Sequence, residues 1–103
     1  MRKGVLEFCI LTLISEEDAY ASDVIQKLKQ AKLIVVEGTL YPLLTRLKND
    51  GLLTYRWEES KSGPPRKYYT ISEEGLKYLA ELAEIWDELV ETVKNIRNIQ
   101  SKN

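Results

Sequence analysis

Apolar residues fall along this chain in more than one period, and each period predicts a different element. Val5, Leu6, Phe8, Cys9, Ile10, Leu11, Leu13 and Ile14 follow one another with little polar relief. They predict a first helix over residues 5–14 that is apolar on nearly all sides and must be covered on more than one face. After an acidic connection at residues 15–18, Tyr20, Val24, Ile25 and Leu28 take helical spacing and predict a second helix over residues 20–30. Lys27, Lys29 and Lys32 lie toward its C-terminal end, where cations suit the helix dipole but also read as plain solvated surface. Leu33, Ile34, Val35 and Val36 form a short, largely β-branched run, expected to be a small strand pairing beside a hairpin.

The segment 37–51 is the most informative stretch. Leu40, Leu43, Leu44 and Leu47 recur at i, i+3, i+4 and i+7, an apolar stripe that must face a core. The opposite face collects Gly38, Tyr41, Pro42, Thr45 and Asn49, with Arg46 on one flank and Lys48 on the other. Such a face is not tuned for solubility. It suits a groove, where hydroxyls bond bases or phosphates and Gly38 lets backbone approach closely. An ordinary amphipathic helix with idle exposed residues is the plain alternative. Gly51 stands where a left-handed residue would end the helix. Pro42 lies in the first turn if the helix begins near Thr39; if it begins at Val36, one helical hydrogen bond is lost.

Residues 52–58 then alternate as a strand with Leu53, Tyr55 and Trp57 on one face. Residues 60–65 read as a turn, and residues 66–71 return as a second strand. Trp57 and Tyr69 are expected in the core, as large aromatics on the inward side of the hairpin. From Ser72, a candidate N-cap with Glu73 and Glu74 in the first turn, a helix of about 40 Å runs to the region of Ile99, too long for a small domain to cover. Leu76, Leu79, Ala83, Trp86, Val90 and Val93 alternate steps of three and four, the spacing of a helix-packing seam. Leu82, Ile85, Leu89 and Ile96 form a second stripe beside it. One stripe can pack on the chain's own first helix and the other on a second copy, which implies a homodimer.

A helix followed by a hairpin with a basic loop is the layout of a winged helix-turn-helix. The runs Glu37-Gly38-Thr39-Leu40-Tyr41-Pro42-Leu43-Leu44, Arg46-Leu47, Asp50-Gly51-Leu52, Arg56-Trp57-Glu58 and Pro65-Arg66-Lys67-Tyr68-Tyr69 resemble the PadR family of bacterial transcriptional regulators. The likeness extends from about residue 5 to the final helix. Two positions depart from the family's pattern: Val36, where a capping polar residue is common, so that a cap would come from elsewhere, such as Thr39; and Ala19 and Ala21 around Tyr20, where a glycine is favoured.

The resemblance implies a mainly α fold with a small β hairpin: a winged helix-turn-helix over residues 1–71 and a C-terminal dimerisation helix over residues 72–103, as in the short subfamily. It implies a cytoplasmic repressor that binds double-stranded DNA at an inverted-repeat operator. The DNA-binding set is Gly38, Thr39, Tyr41, Pro42, Thr45, Arg46 and Lys48 on the reading helix, and Lys61, Arg66 and Lys67 on the wing. The dimer interface would use Leu79, Ala83, Trp86, Val90 and Val93. In short members a tryptophan matching Trp86 faces its twin across the dimer axis, so a planar hydrophobic effector stacked there is implied as well. The rival reading is a winged-helix protein-interaction module without sequence-specific DNA binding.

Composition narrows the field. The 103 residues allow one domain with a modest core. With no His and a single Cys, neither zinc ligation nor a Cys/His nucleophile can be assembled, and no acid/base pair forms a recognisable site, so no enzyme, metal or cofactor is expected. Cys9, amid Phe8, Ile10 and Leu11, is expected to be a buried structural thiol. Arg2-Lys3 followed by an apolar run and Ala19-Tyr20-Ala21 imitate a signal peptide, but Glu7 interrupts the run and Glu16-Glu17-Asp18 precede the site, which argues against one. No segment reaches the ~18 apolar residues of a membrane span.

The net charge of −1 conceals a partition. Residues 19–71 hold nine Lys and Arg against five Asp and Glu, whereas residues 1–18 hold two against four and residues 72–103 four against seven. Positive potential is therefore concentrated on the segment expected to read DNA.

Overall fold

The computed structural model describes residues 2–101. Seven elements follow in order: α1 (Arg2–Glu16), β1 (Ala19–Tyr20), α2 (Ala21–Gln30), α3 (Glu37–Asn49), β2 (Leu53–Ser60), β3 (Gly63–Ile71) and α4 (Glu73–Ser101). The fold is mainly helical with a small antiparallel sheet, a winged helix with a long C-terminal helix.

The core is one cluster. Ile10, Leu11 and Ile14 of α1, Val24 and Leu28 of α2, and Leu40, Leu43, Leu44 and Leu47 of α3 are buried together with Leu53 and Tyr69 of the hairpin. The leucine stripe of α3 thus turns inward as its spacing predicts. Cover for α1 comes from α2, α4 and β3, which buries Ile10, Leu11 and Ile14 but leaves Val5, Leu6, Phe8, Leu13 and Cys9, the thiol expected to be buried, partly exposed.

Two helices end in the same way. At the end of α3, Gly51 N donates to Lys48 O and Leu52 N to Leu47 O, with Gly51 at φ 79°, the paired bonds of a Schellman motif. At the end of α2, Lys32 N donates to Lys29 O and Leu33 N to Leu28 O, but the left-handed residue is Lys32 at φ 68°. A side chain there costs about 1 kcal/mol relative to glycine. That turn carries the chain directly into α3, and it displaces the strand expected at Leu33–Val36: these residues form an irregular link, with Val35 alone buried and Ile34 and Val36 exposed.

The third strand is Ala19–Tyr20 instead, pairing Ala19 with Tyr69 and Tyr20 with Tyr68, so the sheet order is β1-β3-β2. Tyr20 therefore precedes α2 rather than starting it, and Ala19 and Ala21, in place of the expected glycine, are both buried.

The hairpin is longer and its turn tighter than the sequence suggests. Lys61 and Ser62 alone connect the strands; Gly63, Pro64 and Pro65 already belong to β3, and the register shifts between Glu58 and Ser60. Trp57, expected in the core, is 61% exposed while Tyr69 is 2% exposed. The alternation is right, but the hairpin runs past the body of the domain at Trp57, where no element stands behind it.

Ser72 caps α4 as expected: its Oγ accepts from Gly75 N at 2.9 Å and donates to Gly51 O at 2.5 Å, joining the start of α4 to the turn after α3. A Cβ at Gly75 would overlap the Leu52 carbonyl and crowd Ile71, so the close passage of α4 over this turn requires glycine. Along α4, Tyr78, Leu79 and Leu82 pack on the core, Ala83 and Trp86 are half-buried, and Val90, Val93 and Ile96 are exposed. The expected seam is therefore divided: Leu79, Ala83 and Trp86 are partly buried on the chain's own domain, while Leu76 at its start and Val90 and Val93 beyond are exposed.

Candidate nucleic-acid interface

Helix α3 begins at Glu37 with Val36 as its N-cap residue, and no side chain caps it, Thr39 included. Pro42 is thus interior, and one helical hydrogen bond is forgone on the exposed side. The outward face holds Gly38, Thr39, Tyr41, Pro42, Thr45 and Lys48, all exposed. Among the described residues, the hydroxyls of Thr39, Tyr41 and Thr45 make no hydrogen bond within the chain, so they are available to an external partner.

Arg46 differs from the rest of this set. Its Nη2 is ion-paired with Glu7 Oε1 of α1, and the Glu7 side chain is only 14% exposed. The guanidinium sits at the inner edge of the face and ties α3 to α1.

The wing divides its cations between two faces. On the face toward α3, Lys67 Nζ lies 4.6 Å from the Tyr55 ring centroid and 5.6 Å from that of Trp57, while Lys48 Nζ on α3 lies 5.9 Å from Tyr55. Tyr55 and Trp57 meet edge to face at 5.7 Å. Two ammonium groups from different elements thus converge on one ring in the angle between the end of α3 and the wing. On the other face, Arg66 lies over Tyr20 at 4.1 Å and donates to Ser22 Oγ. Lys61 stands at the turn and makes no ion pair or ring contact among the described residues.

Tyr55, Trp57 and Tyr20 are the residues missed from the sequence. Their part as platforms for cations depends on cross-strand register, for which the sequence holds no signal. Arg56, also a wing cation, is occupied by acids: Nε donates to Glu58 Oε1 at 2.7 Å and Nη1 lies 3.5 Å from Asp18 Oδ2. The bond to Glu58 leads in pushing its pKa up. Burial pushes the Tyr69 hydroxyl up, with smaller contributions from Tyr41 and Tyr55.

The described residues hold no cluster of His, Cys, Asp and Glu suited to a metal, and no helix among them is long and apolar enough to cross a membrane. The arrangement suits a polyanion with a groove: an exposed helix face of hydroxyls beside a projecting ribbon lined with ring-bound cations.

Comparison with known proteins agrees. A PadR-like transcription factor from Bacteroides fragilis is 66% identical, with a TM-score of 0.85 over 93% of each chain. A PadR-like transcriptional regulator from Bacillus cereus is 41% identical, with a TM-score of 0.82 over 93% of this chain and 94% of that one. A transcriptional regulator from Streptococcus is 33% identical, with a TM-score of 0.83 over 93% and 95%. The model of the transcriptional regulator PadR-like family matches residues 10–81, from the buried half of α1 through α3 and the hairpin into α4, and the chain belongs to that family.

Proposed function

We propose that the protein is a cytoplasmic repressor that binds an inverted-repeat operator in duplex DNA as a homodimer. Residues 1–71 form the reading unit and residues 72–103 the dimerisation helix. Helix α3 enters the major groove, with Thr39, Tyr41 and Thr45 toward base edges or phosphates, Gly38 and Pro42 allowing close approach, and Arg46 and Lys48 at the rim. The wing, which carries Lys61, Arg66 and Lys67, lies along the adjacent backbone, with Lys61 at its tip toward phosphate. Two-fold symmetry places the half-sites about 34 Å apart. A planar hydrophobic compound bound near Trp86 between the two copies would change the distance between reading helices and release the DNA.

The observation that carries the dimer is the distal half of α4. Val90 is 62% exposed and Val93 45%, on a seam whose Leu79, Ala83 and Trp86 are at least half-buried on the chain's own domain. An apolar stripe of this length calls for a partner, and the same stripe on a second copy answers it isologously. The experiment is sedimentation equilibrium of the wild type and of Val90→Asp/Val93→Asp. A dimeric wild type and a folded, monomeric variant that no longer retards DNA bear the reading out. A monomeric wild type, or a variant that still dimerises, refutes it.

A further inference from the structure

The outer face of the sheet carries a continuous ladder of rings and cations. Arg66 lies 4.1 Å over Tyr20 and donates to Ser22 in the first turn of α2. The Tyr20 and Tyr68 rings are 4.7 Å apart at 54°. Arg56 lies 4.6 Å over Tyr68 and is itself held by Asp18 and Glu58. The ladder therefore runs from the entry of α2 across β1 and β3 to β2.

Its position matters because of where the sheet narrows. β1 pairs with β3 only at Tyr68 and Tyr69. From the Trp57–Lys67 pair to the Ser60–Gly63 pair, the wing is a two-stranded ribbon beyond the third strand. Such a ribbon is marginally stable alone and free to pivot where the third strand ends. Arg56 and Arg66 grip it on either side of that point, and both hold it to residues of the domain body.

We infer that this ladder sets the angle of the wing, and that Arg66 is a positioning residue rather than a phosphate contact. This rests on the DNA-binding reading. A wing fixed in advance loses little freedom on binding, whereas a loose one must be ordered by the DNA at a cost in affinity. That cost does not depend on salt. A cation that neutralises a phosphate behaves differently, since each such contact contributes about 0.9 to the slope of log affinity against log salt. Lys61, at the tip and without an internal partner among the described residues, is placed for that second role.

The test compares Arg66→Ala, Arg66→Lys, Tyr20→Leu and Lys61→Ala with wild type in binding a fluorescein-labelled random-sequence duplex over a salt series. Hydrogen exchange of wing amides is followed on the same proteins without DNA. Tyr20→Leu removes no charge, so it isolates the ladder. Arg66→Ala and Tyr20→Leu are expected to lose roughly three- to tenfold in affinity with the wild-type slope, and to exchange faster across residues 57–67. Arg66→Lys restores part of the affinity, because an ammonium can still sit over the ring. Lys61→Ala lowers the slope by about 0.9 and leaves wing exchange unchanged.

A slope reduced by about one in Arg66→Ala, or wing exchange unaltered in Tyr20→Leu, overturns the inference. Absence of duplex binding by the wild type would refute the DNA reading instead, and the exchange measurements would still decide whether the ladder holds the wing.

Discussion

Phe8 of α1 and Trp86 of α4 stack with ring centroids 6.1 Å apart and planes 15° from parallel. This pair seats the long helix on α1 midway along its length, so the direction in which α4 leaves the domain depends on it. The tryptophan singled out for a dimer axis or a ligand is thus first a packing residue of its own chain, half-buried with one side still open.

Trp86→Ala is accordingly expected to lower stability by about 2 kcal/mol, roughly half the cost of truncating a fully buried aromatic, and Trp86→Phe by much less. Urea unfolding at two protein concentrations measures this. In a homodimer the midpoint also rises with concentration, because association stabilises the folded state by mass action. Equal stability of Trp86→Ala and wild type would deny the stack its role.

The Glu7–Arg46 pair leads to a second expectation. Arg46→Ala leaves a largely buried carboxylate on α1 without its partner and should cost about 2 kcal/mol, less than the full penalty for a wholly buried pair because Arg46 is 40% exposed. Glu7→Gln/Arg46→Ala should recover part of that loss. A double-mutant cycle by thermal unfolding gives the coupling energy, and a coupling indistinguishable from zero would mean the pair does not tie α3 to α1. The cycle also separates a fold defect from a lost DNA contact at Arg46.

What the sequence disclosed, and what it withheld, follows from the range of the interactions involved. The leucines of α3, the cap at Ser72 and the left-handed turn at Gly51 are local: helical period, one hydroxyl and one missing Cβ each state their structure within a few residues. The basic excess on the middle segment also follows directly from counting. Trp57 misled because alternation names the face of a strand but not the length of the body behind it. β1 was invisible because two residues make no pattern, and Leu33–Val36 looked like a strand because β-branched residues also serve in a taut link between helices. Arg66 was recognisable as a wing cation, but its seat on Tyr20 and Ser22 exists only once β1 pairs with β3.

In the proposed function, the exposed α3 face reads duplex sequence as part of a symmetric dimer. Selection from random duplex DNA by the purified protein tests it most directly, with the exposed Thr45→Ala change, alone and with Arg46→Ala, run in parallel. Enrichment of an inverted repeat with half-sites about one helical turn apart is expected, weakened by Thr45→Ala and lost in the double variant. Recovery of no common sequence at low salt from a folded wild-type protein, or of the same sequence by the double variant, would contradict it.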